Sequence, residues 1–211
     1  MQEVNENKRR RSRLTLVILT LLFLVPFVSV LIPSSREWIR ENIAPSHTKS
    51  FGELLNPPRP LNQIAFNAYQ ADIDSLEKMK GKWSLIYIVK DKCDQECSDN
   101  LVKMREARYA QSGDALRVSY YLIFTDKIDS QFITEHAKEH PRLIILTLAD
   151  KGKTNEFIQQ FKFDGNADVS DSHRVYLVDP LGNLMMSYPQ GFHRDGLLKD
   201  LKKIMHYSQI G

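Results

Sequence analysis

Cys93 and Cys97 are the only cysteines in this chain of 211 residues, and they are spaced as Cys-x-x-x-Cys. Residues i and i+4 lie on one face of a helical turn, so the two sulfur atoms can converge. Such a pair can close a disulfide or hold one soft metal ion. Two alternatives remain open: a static disulfide, whose very small loop would contribute little stability, and two unrelated buried cysteines.

The elements around the pair favour chemistry at the sulfur atoms. Residues 83–89 form a nearly continuous apolar run, as in a strand buried on both faces. From Cys97 to about Ala110, apolar residues recur at helical spacing. The pair is therefore expected in a polar loop where a strand ends and a helix begins, and free backbone N–H groups at a helix N-terminus favour a thiolate.

The rest of the sequence alternates between strand and helix patterns, which predicts an α/β fold with a mixed sheet flanked by helices. An edge strand is expected at 51–55. The other predicted strands cover 116–124, 143–148, 174–178 and 184–188, and the other predicted helices cover 129–140, 155–161 and 195–206.

The N-terminal part of the chain predicts a membrane anchor. Residues 14–32 are almost entirely apolar and long enough to cross a bilayer as a helix, and a basic cluster at 8–13 precedes them. A cleaved signal peptide is the alternative, but its apolar region would be shorter. The predicted organisation is a basic cytoplasmic tail at 1–13, a transmembrane anchor at 14–32, a proline-containing connector at 33–60 and a folded domain at 61–211.

The segment around the cysteines resembles the Sco/SenC family. The resemblance rests on Gly81-Lys82-Trp83-Ser84-Leu85-Ile86-Tyr87 before the cysteine pair, and on a later buried strand that ends in Phe124-Thr125-Asp126. It implies a thioredoxin-like domain anchored in a bacterial inner membrane and facing the periplasm. It also implies copper as the bound metal and a copper-site subunit of cytochrome c oxidase as the partner.

In that family a Cys-x-x-x-Cys pair and a distal histidine bind copper together. The resemblance thus implies Cys93 and Cys97 as ligands and makes His173 the candidate third ligand. The sequence departs from the family pattern at two places: Asp94 follows the first cysteine where members have proline, and the family histidine aligns with Asp171, two residues before His173. Two thiolates and an imidazole are a donor set suited to copper.

Other residues that could bind a metal have simpler interpretations. His136 and His140 have an i, i+4 spacing that can bind a metal, but a solvated helix face is the expected arrangement. The Met185–Met186 pair is expected in the core rather than in a thioether site. The same holds for three tyrosines on predicted strands, Tyr120, Tyr121 and Tyr176.

Three functions follow from these patterns. The first is a Sco-like assembly factor that binds copper through Cys93, Cys97 and His173 and delivers it to the oxidase subunit. The second is a membrane-anchored thiol–disulfide reductase in which Cys93 attacks and Cys97 resolves, acting on the cysteines of a copper-site partner. The third is a structural subunit with a static disulfide. The near-neutral charge outside the N-terminal cluster indicates no nucleic-acid partner.

Overall fold

Strand β3 (Trp83–Val89) is buried along its whole length and carries the chain to the cysteine loop. The computed structural model describes residues 13, 15–24, 50–69, 71–126, 128, 130–163, 168–208 and 210. It divides the chain into two units, residues 1–49 and residues 50–211. The second unit contains β3 and is the folded domain.

Within the described residues, seven strands form one mixed sheet in the order β1-β7-β6-β3-β4-β5-β2. Strand β3 pairs in parallel with β4 and antiparallel with β6. The other strands are β1 (Glu53–Pro60), β2 (Phe66–Tyr69), β4 (Val118–Phe124), β5 (Leu143–Leu148), β6 (Val175–Val178) and β7 (Asn183–Tyr188).

Helices cover both faces of the sheet. One face of β3, with Leu85, packs in a core that includes Leu101 of α1 and Leu197 of α4. The other face, with Ile86, packs in a second core that includes Phe157 of α3. Each such buried apolar side chain contributes about 1.5–3 kcal/mol. The helices are α1 (Gln95–Tyr109), α2 (Ser130–Glu139), α3 (Thr154–Gln160) and α4 (Arg194–Tyr207).

The methionine pair and the three tyrosines that were predicted in the core are found there. Met186 is buried, and so are Tyr120, Tyr121 and Tyr176. Met185 packs against the core from a partly buried position. These residues are structural, as predicted.

The folded domain begins earlier than the predicted boundary at Leu61. Strand β1, which was assigned mostly to the connector, pairs antiparallel with β7 at the edge of the sheet. A register shift between Leu54 and Arg59 accommodates Pro57 and Pro58. Proline cannot donate a hydrogen bond to a sheet, so it is tolerated on an edge strand and beside a bulge. The expected edge strand at 51–55 thus overlaps β1 only at 53–55, and β1 continues to Pro60.

The predicted membrane anchor lies partly outside the described residues, which leave out residues 14 and 25–32. Residues 15–24 are helical, and their large apolar side chains are exposed. No helix in the described part of the chain is both long and apolar enough to cross a membrane.

Candidate functional site

The two cysteines form a disulfide at the junction between β3 and α1. Their Cα atoms are 5.2 Å apart, within the range of roughly 4.4–6.8 Å that a disulfide can bridge. The predicted position of the pair, at the end of a buried strand and the start of a helix, is confirmed. The sheet and the helix therefore hold the sulfur–sulfur bond after the C-terminal end of β3, the middle strand of the sheet.

Asp94 determines where the helix begins. Its backbone is extended, and its Oδ1 accepts a hydrogen bond from the Cys97 backbone N–H at 2.9 Å. Aspartate is among the best N-cap residues, because its carboxylate satisfies an N–H group that the helix leaves free. Helix α1 consequently starts at Gln95, before the predicted start at Cys97.

The surroundings of the two sulfur atoms differ. Cys97 is 0% exposed and belongs to the core cluster that contains Leu101 and Tyr87. Cys93 is half-buried, and its Sγ lies 4.0 Å from the Ser98 hydroxyl oxygen. The predicted polar surroundings are found at Cys93, whose neighbours in the loop are exposed. For Cys97 that prediction was wrong, because its side chain points into the core.

His173 lies beside the cysteine loop. It precedes β6 by two residues, and β6 runs antiparallel beside β3. Its Nδ1 is 2.8 Å from the hydroxyl oxygen of Tyr87, and its Nε2 is 3.7 Å from Oδ2 of Asp94. Asp171, the position that aligns with the family histidine, is exposed. The structure thus brings His173 to Asp94, one of the three residues between the two cysteines.

The backbone of His173 has φ = 48°, in the left-handed region that few residues other than glycine adopt. The Asn100 side-chain amide donates a hydrogen bond to the His173 carbonyl oxygen at 3.3 Å. Asn100 is completely buried on α1, one turn after Cys97. The helix that begins at the cysteines therefore also holds the backbone of His173.

Tyr87 is the buried partner of the His173 ring. Its side chain is 0% exposed, and burial raises the pKa of its phenol. A hydrogen bond with Asn100 acts in the opposite direction, and the nearby carboxylates of Asp94 and Glu96 raise this pKa further. The phenol is consequently neutral at physiological pH and retains its O–H group.

The donor atoms that the predicted copper ligands offer depend on the redox state of the cysteines. In the disulfide form both sulfur atoms are engaged, and within the described residues no group of three or more histidine, cysteine and carboxylate side chains can hold a metal ion. Reduction of the disulfide would give two thiolates, one at each end of the segment that contains Asp94. Nε2 of His173 faces this segment. Two thiolates with one imidazole are soft donors that suit copper, so the reduced site fits this metal.

His136 and His140 do not lie on the solvated helix face that was predicted for them. His140 is only 3% exposed, and its ring is buried at the end of α2, whereas a solvated helix face was expected. His136 stacks on Phe132, with ring centroids 3.7 Å apart. Burial lowers the pKa of His140. These rings belong to the packing of α2.

Sequence reasoning did not identify Tyr87 and Asn100 as site residues. A signal for Tyr87 was available, because residues alternate faces along a strand and Tyr87 precedes the loop on the face of Leu85 and Val89. Strand pairing then places Tyr87 opposite Val175, two residues from His173. No comparable local pattern marks Asn100, whose partner His173 lies 73 positions away in the sequence.

The fold and the disulfide define a thioredoxin-like protein. The chain belongs to the family described as transmembrane-like, thioredoxin-like, C-terminal domain, whose family model matches residues 83–208. The comparison with curated proteins finds no match.

Solved structures with the same fold include Sco proteins. Arabidopsis thaliana ScoI with copper bound is 22% identical, with 75% of this chain and 100% of that chain covered and a TM-score of 0.53. BsSco belongs to the Sco family of cytochrome c oxidase assembly proteins, and a disulfide switch has been identified in it; it is 18% identical, with coverages of 74% and 99% and a TM-score of 0.56. The predicted resemblance to Sco/SenC proteins is confirmed in the fold.

The fold is also similar to that of an enzyme. The thioredoxin domain of a thiol-disulfide oxidoreductase from Bacteroides vulgatus is 17% identical, with 70% of this chain and 94% of that chain covered and a TM-score of 0.50. Similar folds are thus found in a copper-bound protein and in a thiol–disulfide oxidoreductase.

Proposed function

We propose that this chain is a Sco-like assembly factor for cytochrome c oxidase whose chemistry is thiol–disulfide exchange at Cys93 and Cys97. The observation that supports this function best is the unequal burial of the two sulfur atoms in one disulfide. A half-buried Cys93 is accessible to a partner, whereas a buried Cys97 reacts only with its neighbour. Exchange through a mixed disulfide needs these two roles.

The reaction runs in two balanced steps. In the reduced protein, the Cys93 thiolate attacks one sulfur of a partner disulfide; a new bond forms between the proteins, and the partner's other sulfur leaves as a thiolate. The Cys97 thiolate then attacks Cys93, closing the internal disulfide and releasing the partner's remaining thiolate. The partner gains two electrons and becomes a dithiol, and Cys93 and Cys97 are oxidised. An external dithiol reductant completes the cycle.

Copper-site cysteines of an oxidase subunit are the proposed substrate, because thiolates can hold copper and a disulfide cannot. The test uses full-length Cys97→Ser, which lacks the resolving thiol and should accumulate as a mixed disulfide with its partner. Mass spectrometry of the trapped species should identify the copper-site subunit, and Cys93→Ser should trap nothing. Equal trapping by both variants, or by neither, would contradict the proposal.

Copper binding by the reduced protein is a second candidate. It is favoured by His173, whose Nε2 faces the cysteine loop at 3.7 Å from Asp94. The two reduced sulfurs would supply soft ligands, and the imidazole would be the third. Anaerobic Cu(I) titration of the reduced full-length protein should show one tightly bound ion, which Cys93→Ser removes. His173→Ala should weaken Cu(II) binding more than Cu(I) binding. No bound copper in the wild-type protein would exclude this candidate.

We also propose a single membrane span at residues 14–32, with the folded domain in the periplasm. The basic residues before this apolar run support that orientation. The exposed apolar side chains of the helical residues 15–24 support membrane contact. Reporter fusions at the C-terminus should be active only outside the cytoplasm, and cytoplasmic activity would refute the topology.

A further inference from the structure

Helix α4 has one face in the core and one face outside it. The inner face packs three apolar side chains into the core: Leu197, Leu201 and Met205. The outer face carries basic side chains at positions i, i+3 and i+4, which are neighbours on a helix. We call these residues, Lys199, Lys202 and Lys203, the lysine face. The first two are exposed and the third is half-buried, so the domain presents a patch of positive charge along this helix.

The carboxylates near the lysine face have other partners. Asp195 precedes Lys199 by one turn and pairs instead with Arg194, at 3.0 Å. Asp114, in the segment that faces the end of α4, pairs with Arg117 at 3.1 Å. Among the residues that the structure describes, no carboxylate forms an ion pair with either of the two exposed lysines. Their positive charge is therefore available to an anionic partner.

Aromatic side chains border the lysine face. Phe51 is 61% exposed, and Nζ of Lys199 lies 5.4 Å from the centre of its ring. Tyr207, the last residue of α4, is 78% exposed. It lines a concavity of about 580 Å³ together with the three lysines. Lysines beside exposed aromatic rings are typical of surfaces that contact a bilayer, because the rings enter the interfacial region while the ammonium groups meet phosphate.

The chain also enters the folded domain at α4. The backbone N–H groups of Phe51 and Gly52 donate to the buried Asp200 carboxylate, at 2.8 and 3.0 Å. Gly196 permits this approach, since a Cβ there would lie 2.8 Å from the Phe51 Cβ. Residues 33–49 alone join this point to the proposed membrane span, and a segment of that length reaches at most about 60 Å. With the span in a bilayer, the lysine face therefore stays within reach of lipid head groups.

We propose that the lysine face docks on the anionic phospholipid head groups of the bilayer that holds the span, and so keeps the domain against the membrane surface. The inference goes beyond the exchange reaction and rests on the proposed membrane span. A lysine close to an anionic surface strengthens binding about five-fold. Because the span makes docking an event within one molecule, at a high effective concentration of head groups, a few such charges are sufficient.

Lysine labelling of the oxidised full-length protein tests the proposal. The protein is reconstituted in nanodiscs of phosphatidylcholine alone, or of phosphatidylcholine and phosphatidylglycerol in equal parts, at about 0.1 M salt. An amine-reactive reagent and mass spectrometry give the labelling rate of Lys202. The reference in the same sample is Lys153, an exposed lysine directly before α3, the helix that packs on the other face of the sheet.

The ratio of the Lys202 rate to the Lys153 rate is the result of this measurement. It should be at least about five-fold lower in nanodiscs with phosphatidylglycerol, because docking covers the lysine face. At about 1 M salt, where charges are screened within about 3 Å, the difference between the two lipids should disappear. Equal ratios in the two lipids at the lower salt concentration would overturn the proposal.

Two variants with the same change in charge separate the lysine face from the net charge of the protein. Lys199→Gln removes one charge of the face and should raise the Lys202 to Lys153 ratio in anionic nanodiscs by up to about five-fold. Lys162→Gln removes an exposed lysine just after α3 and should leave the ratio unchanged. Equal effects of the two variants would indicate a general attraction by net charge and would overturn docking through this face.

Other occupants of the lysine face would give different results. Protection of Lys202 that is the same in both lipids and increases with protein concentration would assign the face to a second copy of the chain. Protection in native membranes, but in neither kind of nanodisc, would assign it to an acidic protein. Either result would overturn docking on lipid.

The measurement needs no partner thiol and no metal, so its result is independent of the exchange reaction. Failure of the protein to insert into phosphatidylcholine nanodiscs would refute the membrane span. In that case vesicles of the same two compositions are added to the protein, and the same ratio of labelling rates tests the lysine face. A lower ratio with the anionic vesicles would support the face without the span, and an unchanged ratio would overturn both.

Discussion

The two halves of the disulfide lie in contrasting regions of the molecule. Cys93 lies in a loop of exposed charged residues, whereas Cys97 is packed among the side chains of β3, α1 and the neighbouring strands. Only three residues lie between them, yet one is half-buried and the other has no exposed surface. The comparison shows how a strand-to-helix junction can place two chemically identical side chains in different surroundings.

The largest effect should come from removing each thiol in turn. With a model disulfide as substrate, Cys93→Ser should reduce the exchange rate to the level of a blank, because the accessible nucleophile is lost. Cys97→Ser should still react once and then stop as a mixed disulfide. Stopped-flow assays with product analysis distinguish the two outcomes. Complete inactivity of Cys97→Ser, with activity in Cys93→Ser, would reverse the assignment.

The second effect is on the free energy of unfolding. Measured with the disulfide reduced, it should differ between the surroundings of Cys93 and those of Cys97. Cys97→Ser places a hydroxyl in the apolar core, which should lower the free energy of unfolding by about 1–3 kcal/mol relative to the reduced wild type. Cys93→Ser should change it by less than about 0.5 kcal/mol, as is usual at partly exposed positions. Urea denaturation measures both values. Equal losses would show that the two environments are energetically alike.

The third effect tests Asp94, which joins the loop to the helix. Asp94→Ala should lower the free energy of unfolding by about 1 kcal/mol, because the N-cap hydrogen bond to Cys97 is lost. Asp94→Asn is the matched control, since asparagine caps helices about equally well. It removes the charge beside His173 and keeps the cap. A loss in Asp94→Asn as large as that in Asp94→Ala would show that the charge, not the cap, stabilises the junction.

The smallest effect should arise outside the site, at His140. Burial lowers its pKa, so between its folded and unfolded pKa values the unfolded chain binds more protons. Stability should therefore decrease as the pH falls below about 6.5, the ordinary histidine value. His140→Phe should reduce this loss, measured as the difference in unfolding free energy between pH 7.5 and 5.5. An undiminished loss would assign the pH dependence to other groups.

Local patterns were sufficient to predict the framework of the site. The apolar run at 83–89 and the helical spacing after Cys97 placed the disulfide at the correct junction. The alternation of strands and helices predicted the mixed sheet, in which β6 pairs with β3 and brings His173 to the loop. These features depend on hydrophobic periodicity, which a sequence displays directly.

The burial of Cys97 was misjudged because its sequence neighbours are polar. Its helical neighbours Leu101 and Met104 form an apolar stripe, and Cys97 continues that stripe by one turn. The face of the helix was the relevant signal, and the composition of the surrounding loop was misleading.

The contacts of Tyr87, Asn100 and His173 were not predictable from local patterns. They join a strand and a helix to a loop: His173 is 86 positions from Tyr87 and 73 positions from Asn100 in the sequence. Strand β1 was underestimated for a related reason: its prolines disfavour a strand locally, and pairing with β7 at the sheet edge overrides that preference. In both cases tertiary contacts determine the outcome.

The central claim is that the Cys93–Cys97 disulfide is a working redox pair, and its reduction potential tests this most directly. The full-length protein is equilibrated with dithiol and disulfide buffers, and the reduced fraction is measured by thiol alkylation and mass spectrometry. Structural disulfides usually have potentials below about −300 mV, whereas exchange-active pairs are more oxidising. The account predicts a value clearly above that limit. A value at or below it would identify a static disulfide and contradict the proposed function.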